Sequence, residues 1–103
     1  MTERLTAQVK RKLNITWNDE ETNSRIAEII QSAIPALKHK LGIADPDFDF
    51  AEPGIENDLF KSYCFYEWNH CKNEFDDNYA NDILQVRQKN EVAYFLGVSG
   101  DEE

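Results

Sequence analysis

Four acids near the middle of the chain have the types and spacing that could hold a cation. Asp45, Asp47, Asp49 and Glu56 fall at positions 1, 3, 5 and 12 of a twelve-residue stretch, the register in which a calcium loop gathers hard oxygen ligands. Two residues argue against that chemistry. Position 6, where the backbone turns sharply and glycine is wanted, is Phe50, and position 9 is Pro53, which stiffens the chain where coordination should wrap. A solvated acidic loop is the expectation, with a small calcium-responsive helical binding module as the alternative. Cys64, His70 and Cys71, with distant His39, are zinc-ligand types, but they do not form the two close-spaced pairs of a structural zinc site. Buried thiols and a surface histidine fit better, and no metal or cofactor is expected. Glu67, inside an aromatic-rich stretch, is the one acid whose burial would favour its protonated form, and with His70 it is the only acid–base candidate. There is no glycine-rich phosphate loop, no GxSxG elbow and no HExxH pair, so the chain is not expected to be an enzyme.

The elements that must carry these residues read as helices. Leu5, Val9 and Leu13 recur every four residues after Thr2, a suitable N-cap, and predict a first helix of about three turns with a basic opposite face. Asn18 with Glu21 three residues later has capping-box spacing, and Ile26, Ile29, Ile30, Ala33, Ile34, Leu37 and Leu41 form the most regular apolar stripe in the chain. Gly42 is a natural left-handed stop after Lys38, His39 and Lys40, whose charges suit the end of the helix dipole. Pro35 lies inside this pattern and is expected to kink or split the helix near residues 31–35.

Residues 44–58 carry two prolines, one glycine and no base, and predict a long acidic loop with Phe48 and Phe50 as anchors. From Ile55 the apolar residues become too dense for one stripe. Leu59, Phe60, Tyr63, Cys64, Phe65, Tyr66, Trp68 and Cys71 therefore predict a third helix buried on most of its circumference, with the two cysteines two turns and about 10 Å apart, too far for a disulfide. A fourth helix, capped by Asp76 or Asp77, places Phe75, Tyr79, Ile83 and Val86 on one face. The fold expected is an all-α bundle of about four helices over residues 1–91, followed by a flexible C-terminal tail over 92–103. In that tail Val92, Tyr94, Leu96 and Val98 alternate, with Phe95 on the other side, a pattern suited either to adding a strand to a partner's sheet or to packing back on the bundle.

With 103 residues there is room for one core and no second domain. A content of 41% apolar and 12% aromatic residues argues against disorder despite a net charge of -9. The charge is unevenly placed. Residues 1–41 hold seven bases and five acids, whereas residues 42–103 hold four bases and fifteen acids. Tight nucleic-acid binding through counterion release is disfavoured over most of such a surface, although Arg4, Lys10, Arg11 and Lys12 form a local basic run. A basic partner, as for an acidic regulatory protein-interaction domain, suits it better. The first thirteen residues lack the apolar run of a signal peptide and no segment has the length of a membrane span, so the cytoplasm is the expected compartment.

The order of these segments is similar to a known family. Val9-Lys10-Arg11-Lys12-Leu13-Asn14-Ile15 closing a short helix, an Asp19-Glu20 turn, Ile26-Ala27-Glu28-Ile29-Ile30-Gln31-Ser32-Ala33-Ile34, a Pro53-Gly54 start to an aromatic helix, and Asn78-Tyr79-Ala80-Asn81-Asp82-Ile83-Leu84-Gln85-Val86-Arg87 together resemble the head-tail connector (adaptor) proteins of long-tailed bacteriophages and prophages. The resemblance spans residues 3–92 and lies in packing patterns rather than a catalytic signature. It implies a structural virion protein, monomeric when free in the host cytoplasm. At the virion neck it implies a ring, dodecameric when assembled, that binds the portal protein, prolongs the DNA channel and docks the stopper or tail protein. DNA would pass without specific binding and no membrane is involved. On this expectation Asp45, Asp47, Asp49 and Glu52 face the channel or a basic partner; separately, and not as part of the family pattern, Val92, Tyr94, Phe95, Leu96 and Val98 are expected to meet the portal or a neighbouring copy.

Overall fold

The structure, a computed structural model, describes the backbone of residues 2–101 and the side chains of residues 3–92. Among the described residues five helices follow one another: α1 (Thr2–Lys12), α2 (Glu20–Leu41), α3 (Ile55–Trp68), α4 (Asn73–Asn78) and α5 (Ala80–Asp101). No strand occurs among the described residues. The fold is the small all-α bundle read from the apolar periodicity, with one helix more than expected. The expected fourth helix is two, separated at Tyr79, and Asp76 and Asp77 lie within α4 rather than capping it.

The stripe of α2 forms the spine of the core. Ile26, Ile30, Ala33, Leu37 and Leu41 have no solvent exposure and pack with Leu5 and Val9 of α1 and Leu59, Phe60, Tyr63 and Cys64 of α3. Buried side chains of this size contribute about 1.5–3 kcal/mol each relative to remaining in water. Pro35 does not split the helix, which runs unbroken for 22 residues with the proline on its exposed side. The N-cap is Asp19, one residue beyond the expected Asn18: its carboxylate accepts from the Thr22 N–H at 2.8 Å and the Thr22 hydroxyl at 2.9 Å. These Thr22 bonds hold the Asp19 carboxyl below its ordinary range.

Three helices stop by the same device. Asn14, Gly42 and His70 follow α1, α2 and α3 with φ of 59°, 68° and 61°. At each stop two N–H groups fold back on the last turn: Asn14 to Arg11 and Ile15 to Lys10, Gly42 to His39 and Ile43 to Lys38, His70 to Glu67 and Cys71 to Tyr66. This double bond satisfies carbonyls that a helix end leaves open, and the left-handed residue makes it possible. Because His70 turns the chain there, α3 ends at Trp68 and Cys71 lies beyond it, correcting the expectation that both cysteines share one helix. The helix is also less enclosed than its composition suggests, since Ile55 and Phe65 remain 38% and 40% exposed.

Phe75 joins α4 to the core as the hub of a ring cluster, 5.2 Å from Tyr63, 5.9 Å from Tyr66 and 4.9 Å from Tyr79. Val86 is buried on α5, and Asn90 Nδ2 donates to the Leu41 carbonyl at 2.8 Å, fixing α5 against the end of α2. The molecule measures 53 × 28 × 19 Å with a radius of gyration of 15.0 Å. A compact chain of this length would have about 13 Å, so the molecule is elongated.

Candidate functional site

The acidic loop is long but firmly placed. Phe50 and Ala51 are buried, and the Phe50 ring lies 5.0 Å from Phe48 and 4.9 Å from Phe60. Beneath them Asn57, 5% exposed, donates to the Phe50 carbonyl at 2.8 Å and to Gln8 Oε1 at 2.7 Å, while Gln8 Nε2 donates to the Ala51 carbonyl at 3.0 Å. This buried polar set ties the loop to both α1 and α3, and every member has a partner. Phe50, read from the sequence as an anchor, is one; Gln8 and Asn57 gave no sign there of their part.

The loop acids do not gather around one point. Asp45 Oδ1 accepts from the Asp47 N–H and Asp49 Oδ1 from the Ala51 N–H, each closing a local turn. Glu52 pairs with Arg4 at 3.3 Å and Glu56 with Lys89 at 2.8 Å. Burial, the largest single influence on Glu56, works against its charge, but the Lys89 bond and charge together with a backbone N–H bond outweigh it and the carboxyl lies below its ordinary range. No group of three or more His, Cys, Asp and Glu side chains is placed to hold a metal ion among the described residues. Asp45, Asp47 and Glu52 are exposed and Asp49 is half-buried.

A second grouping lies where the start of α2 meets the end of α3. Arg25, Glu28, Ile29 and Ser32 from α2 and Glu67 and His70 from α3 and its stop line a shallow open cleft of about 380 Å³. Arg25 donates to the Trp68 carbonyl at 2.7 Å, lies 3.1 Å from His70 Nε2, and places its guanidinium carbon 4.2 Å from the Trp68 ring centre. The two acid–base candidates are thus brought together, joined by an arginine 43 positions from Trp68. Glu67 Oε2 is shut off from solvent and has no donor.

The thiols do not join this cleft chemically. Burial, with the Glu67 charge beside it, pushes the Cys64 thiol up to about 12. Burial and Glu74 also raise that of Cys71. Both thiols are free, and a raised thiol is a poor nucleophile.

The basic run expected to form one patch is spread over different tasks. Arg4 is paired with Glu52 and Lys12 lies 5.9 Å from the Phe65 ring centre, while Arg11 is exposed at the end of α1. At the other terminus, the alternation of 92–98 is not that of a strand. The backbone continues α5 from residue 91 to Asp101, and in a helix positions two apart do not share a face. Val92 is 57% exposed and Leu84, two turns earlier on the same helix, is 53% exposed; the side chains of Tyr94, Phe95, Leu96 and Val98 lie outside the described residues. No helix among the described residues is long and apolar enough to cross a membrane. Set beside known protein families, characterised proteins and solved structures, the chain matches none of them.

Proposed function

We propose that this protein is a head-tail connector (adaptor), a structural subunit that forms a ring beneath the portal of a DNA-filled capsid and docks the stopper or tail. The order and spacing of the packing segments are what resemble that family. The observation that carries the reading is the acidic loop, which is anchored to the bundle and exposes acids on its outer side. Its apolar side is anchored by Phe50 and its backbone by Asn57 and Gln8, and from it Asp45 and Asp47 are exposed without an ion pair among the described residues, while Glu52 is held by Arg4. Exposed unpaired carboxylates repel phosphate, which suits a channel through which DNA slides without adhering. Subunits in such a ring meet through heterologous surfaces, and closure follows the partner's rotational symmetry.

The test is negative-stain microscopy of the full chain mixed with its portal protein. A ring added to one face of the portal is expected, with the protein monomeric when alone. Portal particles that stay undecorated at saturating protein refute the reading. In the assembled ring, loop acids turned away from both the channel and any basic neighbour would remove the role given to the loop while leaving the connector in place.

A further inference from the structure

Arg25 shares its cleft with two sets of groups and is bound to only one. It is held by the Trp68 carbonyl, the Trp68 ring and His70 Nε2. Glu28 and Glu67 line the same cleft, yet neither has an ion pair among the described residues, and Glu67 Oε2 is buried without a donor. A guanidinium carries only donors, so the 3.1 Å contact requires Nε2 to accept and places the ring proton on Nδ1. A proton added at Nε2 converts the contact into two facing cations beside two unpaired carboxylates.

We propose that this cleft is a proton-operated toggle. With His70 neutral, Arg25 clamps Trp68 and joins the start of α2 to the end of α3. When His70 takes a proton from solvent, its ring turns to Glu67, whose buried oxygen gains the donor it lacks, and Arg25 leaves Trp68 for Glu28, three residues along α2. Arg25 touches the ring; the other charged groups lining the clefts it borders are Glu28 from α2, Glu67 from α3, and Lys72 in the following turn, which lines a neighbouring cleft with Glu67, His70 and Asn73. Glu74 of α4 lies against Cys71 instead. Lys72 leaves Glu67 unpaired in the neutral state, so the carboxylate is open to the protonated ring. The toggle rests on this geometry and is independent of the connector reading.

Nuclear magnetic resonance of the full chain, followed over the range in which histidine gains its proton, tests it. The Nδ1–H tautomer of His70 is expected at the alkaline end. The Trp68 indole and Arg25 side-chain signals should then move with the same midpoint as the His70 ring. His70→Gln keeps an acceptor but cannot titrate, and should hold the Trp68 signal still. The double variant Glu28→Gln with Glu67→Gln should leave His70 titrating while most of the Trp68 movement is lost. An Nε2–H tautomer at the alkaline end, a His70 titration that leaves Trp68 and Arg25 unmoved, or Trp68 movement that persists in His70→Gln would each overturn the toggle.

Discussion

At Cys64 the packing of a side chain decides its chemistry. The thiol has no solvent exposure and its proton is held up to about 12, against an ordinary value of 9.0. The folded state therefore disfavours the thiolate, while the unfolded chain forms it freely. The stability this contributes is complete below about pH 9 and is lost progressively as the pH rises toward 12. Tyr63 acts in the same direction, since burial and the Glu67 charge raise its hydroxyl above 10.0. Urea midpoints for the native chain and for Cys64→Ala should separate these contributions. Near neutral pH the variant is the less stable, having lost a buried sulfur. The gap should narrow as the pH is raised past about 9, because only the native chain carries the Cys64 term. A gap that stays constant into the alkaline range would show that the sulfur is not buried as described.

Among the elements, α2 was the most legible in the sequence because its seven stripe residues lie on one face and Gly42 marks its end. The cap was misplaced by one residue because Asn18 and Asp19 are both good capping types, and only the bond to Thr22 separates them. The division between α4 and α5 left no trace in the pattern. Tyr79 N–H still bonds the Phe75 carbonyl and Ile83 N–H the Tyr79 carbonyl, so the apolar phase passes through the break unchanged. The end of α3 was hidden for a different reason: His70 fills a left-handed position where glycine would have signalled a stop. The Arg25 cleft was legible only as separate residues, because it needs the tertiary meeting of two helix ends. Pro35 shows the limit of a local rule, since α2 continues through it. Its cost should nevertheless remain in the helix, because the Gln31 carbonyl has no N–H to meet at residue 35. Pro35 is exposed, so Pro35→Ala removes no core packing. The substitution should raise stability by about 1–3 kcal/mol, read as a higher urea midpoint with an unchanged slope. A lower midpoint would mean that the core depends on the backbone geometry the proline ring fixes.

For the whole molecule, part of the charge imbalance is spent on holding the bundle together. Arg4 with Glu52 and Lys40 with Asp76 each join a base from the first 41 residues to an acid from the remainder. These are exposed or half-exposed pairs and contribute little singly. Among the described residues they leave Asp45, Asp47 and Asp49 without an ion pair on the loop, where the net charge of -9 becomes a local surface property. The opposite specialisation is found at the C-terminus. The last buried residue described on α5 is Val86 and the Asn90 bond to Leu41 closes the end of the bundle, while α5 continues through ten further residues from 92 to 101. A chain ending at Glu91 should therefore keep its cooperative thermal transition and lose only the circular dichroism of about ten helical residues. On the connector reading the same truncation should abolish attachment to the portal, because the removed segment is the one assigned to the partner. Attachment equal to that of the full chain would withdraw that assignment and leave the ring to be held by the bundle itself. Loss of the cooperative transition would instead make 92–101 part of the folding unit. The helix seen there gives this experiment its sharper form: the segment is tested as an extension of α5 rather than as a strand waiting for a sheet.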